Sequence, residues 1–309
     1  MKSLFALLLS FILIGVNASA CINEYYRSSI PFNNGQLDLK VLINKSGEAY
    51  PYWYHGIEPD DNLLSRKDSL QKAFAKKPGD FRLLADYAAL ELKTGNKTRA
   101  LEILEKLYAE HPNEYNIVVN LGTAYELKGN NSKALELIKK AVSLNPSSHF
   151  GSEWIHVNIL EQKNSTNPDY SKIIGLGIKN FPEWLTDRSY KFPVPADTLK
   201  LQIAWQLHER IAFVAAPDDI VGRIVIDFAD IVAKTVSYNE AIPFYEYGAN
   251  YGANMQKLAD ERKADLKGAQ KEATGTLRGA AIIWGLPLLF IIFIVLAWIR
   301  NRRNTKSEA

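Results

Sequence analysis

Between residues 61 and 252, apolar positions recur every three or four residues, and the polar runs between them carry glycine or proline. That spacing predicts amphipathic helices joined by short turns. The pattern also repeats. Laying FRLLADYAALELKTGNKTRALEILEKLYAEHPNE (81–114) on YNIVVNLGTAYELKGNNSKALELIKKAVSLNPSS (115–148) brings Gly95 onto Gly129, Ala100 onto Ala134, Leu104 onto Ile138 and Pro112 onto Pro146, each 34 residues on. Gly95 and Gly129 suit the left-handed residue that ends a helix. The alanines are small where two helices cross, and the prolines stop the second helix. Gly122 is a further point of close approach. The prediction is an all-α chain of antiparallel helix pairs. One pair cannot bury its own apolar face, so the pairs must stack on one another.

Weaker copies flank these two. Upstream, 61–78 holds Ala73 and Pro78 in phase and reads as a half repeat. Downstream, HFGSEWIHVNILEQK (149–163) starts in phase. Its partner helix is expected around Tyr170 to Asn180, across the polar stretch KNSTNPD. Residues 181–252 read as further, degenerate hairpins. They hold a helix with Leu199, Ile203, Leu207, Ile211 and Val214 on one stripe, then a pair over 218–252 capped by Asp218 or Asp219, with Ala241, Tyr245 and Gly248 in repeat-like places. Residues 253–278 are charged and helical in pattern, a stalk or a final capping helix. Residues 21–60 are aromatic and irregular. Asn34-Gly35 there suits a hairpin turn, and a loop or cap fits equally well.

The second copy resembles a tetratricopeptide repeat. Leu121, Gly122, Tyr125, Gly129, Ala134, Ile138, Ala141 and Pro146 fall on that family's signature positions; in the first copy Glu91 and Leu107 depart from them. The resemblance implies a right-handed helical solenoid over 61–180 that binds a protein or peptide on its concave face. The inner-face residues would include Arg82, Asp86, Ala89, Asn116, Asn120, Thr123, Glu153 and Val157. Some members clamp a C-terminal carboxylate with lysines and asparagines. Asn120 falls on one of those asparagines, but the lysine positions hold Ala85 and Asn116.

The two ends change the setting. Residues 1–20 have Lys2, a largely apolar run from Leu4 to Val16 and a small-x-small Ala18-Ser19-Ala20, the form of a secretory signal peptide. Gly279 to Ile299 carries no charge and is long enough to span a hydrocarbon core of about 30 Å. Trp284 and Trp298 stand near its edges, and the tail 300–309 holds Arg300, Arg302, Arg303 and Lys306, which places that tail in the cytoplasm. Both signals put residues 21–278 outside the cytoplasm, and the resemblance favours a bacterial inner membrane with a periplasmic domain. Cys21 is the only cysteine, so no intramolecular disulfide can form. In the 309 residues, Lys and Arg number 37 against 34 acids, and without a clustered basic surplus nucleic acid is not an expected partner.

Candidate chemistry is sparse. His149, Glu153 and His156, spaced four and three apart, would share a helical face and are zinc-ligating types. The competing reading packs His156 against the neighbouring helix and turns Glu153 to the inner face, so no metal is expected. PYWYHG with EPDD (51–61) gathers aromatics beside acids, as in sugar-binding or hydrolytic sites. The chain holds no glycine-rich phosphate loop, G-x-S-x-G or H-E-x-x-H. The expectation is a cofactor-free, single-pass membrane scaffold rather than an enzyme. The alternatives are an envelope enzyme with its site in the N-terminal aromatic segment and an accessory subunit of a membrane complex.

Overall fold

The computed structural model describes residues 22–26, 63–211 and 214–271. The signal peptide read at 1–20, Cys21, most of the aromatic segment including Asn34-Gly35, the apolar run 279–299 and the basic tail lie outside the described residues. Among the described residues no helix is long and apolar enough to cross a membrane, and no residue is in a strand.

The described chain is all-helical. Its elements are α1 (Leu63–Lys76), α2 (Phe81–Lys93), α3 (Lys97–Glu110), α4 (Tyr115–Leu127), α5 (Asn131–Leu144), a single turn α6 (Ser148–Gly151), α7 (Glu153–Asn164), α8 (Phe181–Thr186), α9 (Ala196–Ile211), α10 (Asp219–Thr235) and α11 (Tyr238–Ala249), followed by α12 (253–271). Consecutive helices pack on one another from α1 to α5. The stack continues from α5 to α7 and from α7 through α9 and α10 to α11.

The α2–α3 and α4–α5 pairs show why a 34-residue period folds. Gly95 and Gly129 adopt φ of +86° and +82°, which only glycine takes without strain. The next residue is asparagine both times. Its N–H reaches back to the last turn, Asn96 to the Glu91 carbonyl at 2.8 Å and Asn130 to the Tyr125 carbonyl at 2.9 Å, satisfying orphan carbonyls. The same asparagine caps the following helix, Asn96 accepting from the Arg99 N–H and Asn130 from the Lys133 N–H. Three residues thus close one helix and open the next. At the crossings Ala88, Ala100 and Ala134 are fully buried. A Cβ on Gly122 would lie 2.8 Å from Ile138 Cδ1, so α4 and α5 approach as closely as glycine allows.

Past α5 the period fails in two places. His149, Phe150 and Gly151 all have positive φ, at 51°, 59° and 70°, so α7 begins at Glu153 and His149 stands outside it. The helix expected over Tyr170 to Asn180 is absent: only a 3-10 turn, Tyr170–Lys172, forms. Gly175 and Gly177 take φ of +72° and +64°, which no right-handed helix accommodates. The chain bends here and buries Ile173, Ile174 and Leu176 individually.

The buried side chains form two clusters. One runs from Ile22 through α2–α5 to Leu160, the other from Ile155 through α12, so α7 contributes to both. At the second cluster, Gly222 of α10 and Gly248 of α11 face each other, and a Cβ on Gly248 would meet the Gly222 carbonyl at 3.3 Å. The part of 253–278 that is described is no free-standing stalk. Met255, Ala259 and Leu266 of α12 are buried, and Arg262 reaches Asp230 of α10 at 3.1 Å. Asp230 also accepts from the Tyr245 hydroxyl at 2.6 Å. Asp227, one turn away and paired with Arg223 at 2.8 Å, is pushed up to about 7 by burial.

Candidate peptide groove on the inner face

Residues 22–26, Ile-Asn-Glu-Tyr-Tyr, lie outside any helix or strand, in a groove lined by first helices. Asn120 of α4 holds the main chain of Asn23 at both ends of its amide. Its Oδ1 accepts the Asn23 N–H at 2.8 Å, and its Nδ2 donates to the Asn23 carbonyl at 2.7 Å. Asp86 of α2 takes the next stretch, one oxygen accepting the Tyr25 N–H at 2.6 Å and the other the Tyr26 N–H at 2.9 Å. Burial pushes the Asp86 carboxyl up to about 6, against the pull of these two donors. Beyond the other end, Glu209 of α9 is buried, and burial raises its carboxyl above the usual range. Asn120 and Asp86, from two helices, therefore grip main chain. A segment without a strand partner has its peptide groups satisfied in this way.

Side chains add register. Ile22 sits in the first core cluster. The Glu24 carboxylate, 4% exposed, meets Arg66 of α1 and Lys93 of α2, the latter at 2.5 Å. Burial opposes its ionisation, but Lys93 and Arg66 outweigh that and hold it below the usual carboxylate range. The Tyr25 ring packs edge-on against Phe81, lies 5.7 Å from the Arg82 guanidinium, and its hydroxyl donates to Glu114 at 3.0 Å. Tyr26 is exposed and donates its hydroxyl to Asp80 at 2.8 Å.

His149 closes the groove from the left-handed turn α6. Its ring stacks on Trp205 with centroids 5.3 Å apart. Its Nε2 lies 3.1 Å from Asn23 Oδ1, and its Nδ1 lies 2.5 Å from Glu153. Two oxygens facing two ring nitrogens suit the doubly protonated ring. Burial disfavours that cation, yet the Glu153 contact and the nearby Glu209 raise the His149 pKa above its ordinary value. Behind it the alternation continues into the core. Glu153 lies 3.5 Å from His156 Nδ1, and His156 Nε2 lies 2.8 Å from Glu126. Glu126 also accepts from Lys163 at 2.7 Å and Arg210 at 3.3 Å. Burial works against the Glu126 charge, but Arg210, Lys163 and His156 hold the carboxyl well below its usual range.

The structure thus brings His149, Glu153 and His156 together as a run of alternating imidazole and carboxylate groups. Among the described residues no group of three or more His, Cys, Asp or Glu side chains could hold a metal ion. Of the inner-face residues, Asp86 and Asn120 bond the segment's main chain, Arg82 stands over its Tyr25 ring, and Glu153 supports it through His149. Arg82 stands exposed at the rim, Asn116 is half-buried, and Thr123 is buried. The sequence reading missed Arg66, Lys93 and Glu209, and it missed the occupant itself. An acid between an apolar residue and two tyrosines was the one available signal. No protein-family model matches the chain, and no curated protein matches it significantly.

Proposed function

We propose that this chain is a tetratricopeptide-like interaction scaffold, held to a membrane by residues 279–299, whose outward-facing inner groove binds an extended segment of a protein partner. The observation that carries this reading is the grip of Asn120 and Asp86 on the main chain of residues 23–26. Side chains that bind peptide N–H and C=O groups form a surface for extended chain whatever its sequence. Supporting it are the repeated helix pairs, the recurrent Gly-Asn junctions, and the signal-peptide and spanning patterns at the two ends. The setting is a bacterial inner membrane with residues 21–278 on the periplasmic side, and the activity is binding rather than catalysis.

The test is photo-crosslinking in cells, with a photoreactive phenylalanine placed at Arg82 on the groove rim or, as control, at Lys133 on α5. The reading expects one discrete adduct from Arg82 that is absent from Lys133. Equal adduct patterns from both positions, or none from Arg82, would count against it.

A further inference from the structure

We infer that the groove selects partner segments carrying a carboxylate side chain at the place of Glu24 and an apolar side chain two residues before it, and that residues 22–26 are a built-in occupant which such a segment displaces. This rests on the inner face being the partner site.

Two kinds of contact divide the labour. Asn120 and Asp86 touch only the peptide groups of residues 23, 25 and 26. They fix where an extended chain lies and exclude proline at those three positions, but they read no side chain. Discrimination falls to what surrounds Glu24. Lys93, 7% exposed, and Arg66 converge there from two helices, so an occupant without a carboxylate would strand a buried ammonium, the expensive case for a charge. Ile22 supplies the apolar position because it fills the core cluster between α2 and α4. The segment belongs to no helix or strand, so exchanging it breaks no secondary structure. A tethered occupant acts at an effective concentration on the order of millimolar, so a free competitor binds visibly only when the built-in segment is weakened.

The experiment uses the full chain in detergent and a fluorescein-labelled, N-acetylated INEYY peptide followed by anisotropy. In Glu24→Ala, which weakens the resident segment, binding should be at least 10-fold tighter than to the wild-type chain. The peptide with Gln in place of Glu should bind at least 30-fold more weakly, and adding Lys93→Met should remove that preference. Equal binding of the Glu and Gln peptides, or no binding to a folded Glu24→Ala chain, would overturn the inference. If Glu24→Ala does not fold, hydrogen exchange on the wild type decides. Glu peptide supplied well above the tethered segment's effective concentration should speed exchange of the Tyr25 and Tyr26 amides and the Gln peptide should not; unchanged exchange at that excess would overturn it. An intact Arg82 crosslink beside a failed peptide test would sink the carboxylate preference alone, whereas loss of both would sink the scaffold reading.

Discussion

Asn120 and Asn23, 97 residues apart, form a closed amide-to-peptide pair in which each donates one hydrogen bond and accepts one. Asn120→Ala leaves a partly buried N–H and a partly buried carbonyl of Asn23 without this partner, at about 0.5–1.5 kcal/mol for each lost bond. Hydrogen exchange followed by mass spectrometry should show the amides of residues 23–26 exchanging at least 10-fold faster, with α5 unchanged. Unaltered protection over 23–26 would mean that the seat does not depend on this side chain.

Glu126 is the hub of the buried charges, and its removal should be felt throughout the fold. Glu126→Ala removes the fully buried carboxylate that His156, Lys163 and Arg210 all face, which should lower stability by about 3–5 kcal/mol. Glu102, whose pair with Arg99 is about half exposed on both sides, is the contrast: Glu102→Ala should stay within about 0.5 kcal/mol. Urea unfolding of the two variants checks both numbers.

The glycines sort by what a Cβ would meet. At Gly248 it would stand 2.9 Å from Ile226 Cγ1, and at Gly122 2.8 Å from Ile138 Cδ1. Alanine at either position should cost about 1–3 kcal/mol through overpacking. At Gly268 of α12 it would meet nothing within 4 Å, so Gly268→Ala should stabilise by up to about 1 kcal/mol. Thermal melts of the three single variants give the order.

Stability should fall as pH rises from about 5 to 8. The folded pKa values of Asp86 and Asp227, about 6 and about 7, lie above the ordinary aspartate value of 3.8. The native state therefore holds their protons more tightly and is penalised progressively as pH climbs from 3.8 through those values. His149 is raised above 6.5, so its contribution is full below 6.5 and is lost as pH passes its folded pKa. Glu24 and Glu126, lowered in the fold, weaken the protein only below about 4.5, outside this window. The midpoint at pH 8 should lie several degrees below that at pH 5.5, since about 1 kcal/mol moves it 2–4 °C in a domain of this size. Asp227→Asn and His149→Gln should each flatten the slope, and a flat wild-type profile would contradict the assignment.

The helix pairs over 81–148 were legible because their signals are local. A left-handed glycine, a small residue at a crossing and a stop after the second helix are needs of a few neighbouring residues, so they recur in the sequence. The failure of the next pair was half legible: Gly175 and Gly177 stand in plain view, but nothing in their identity shows that both take positive φ. The turn at His149 and Phe150 was hidden, since a bulky residue such as Phe150 rarely adopts positive φ and a histidine, though enriched there, does so in only a small minority of cases. The groove was read in part. Asp86 and Asn120 follow from position on the first helices. The carboxylate pocket unites Glu24 with Arg66 and Lys93, a meeting that leaves no periodic trace in the sequence.

The seat of residues 22–26 has a consequence for how the molecule is made. Asn23 lies against His149, 126 residues further along. A stretch synthesised early therefore has no resting place until most of the domain has been synthesised, and closing so long a loop comes after the local hairpins have formed. Its arrival in the groove reports that the body is complete.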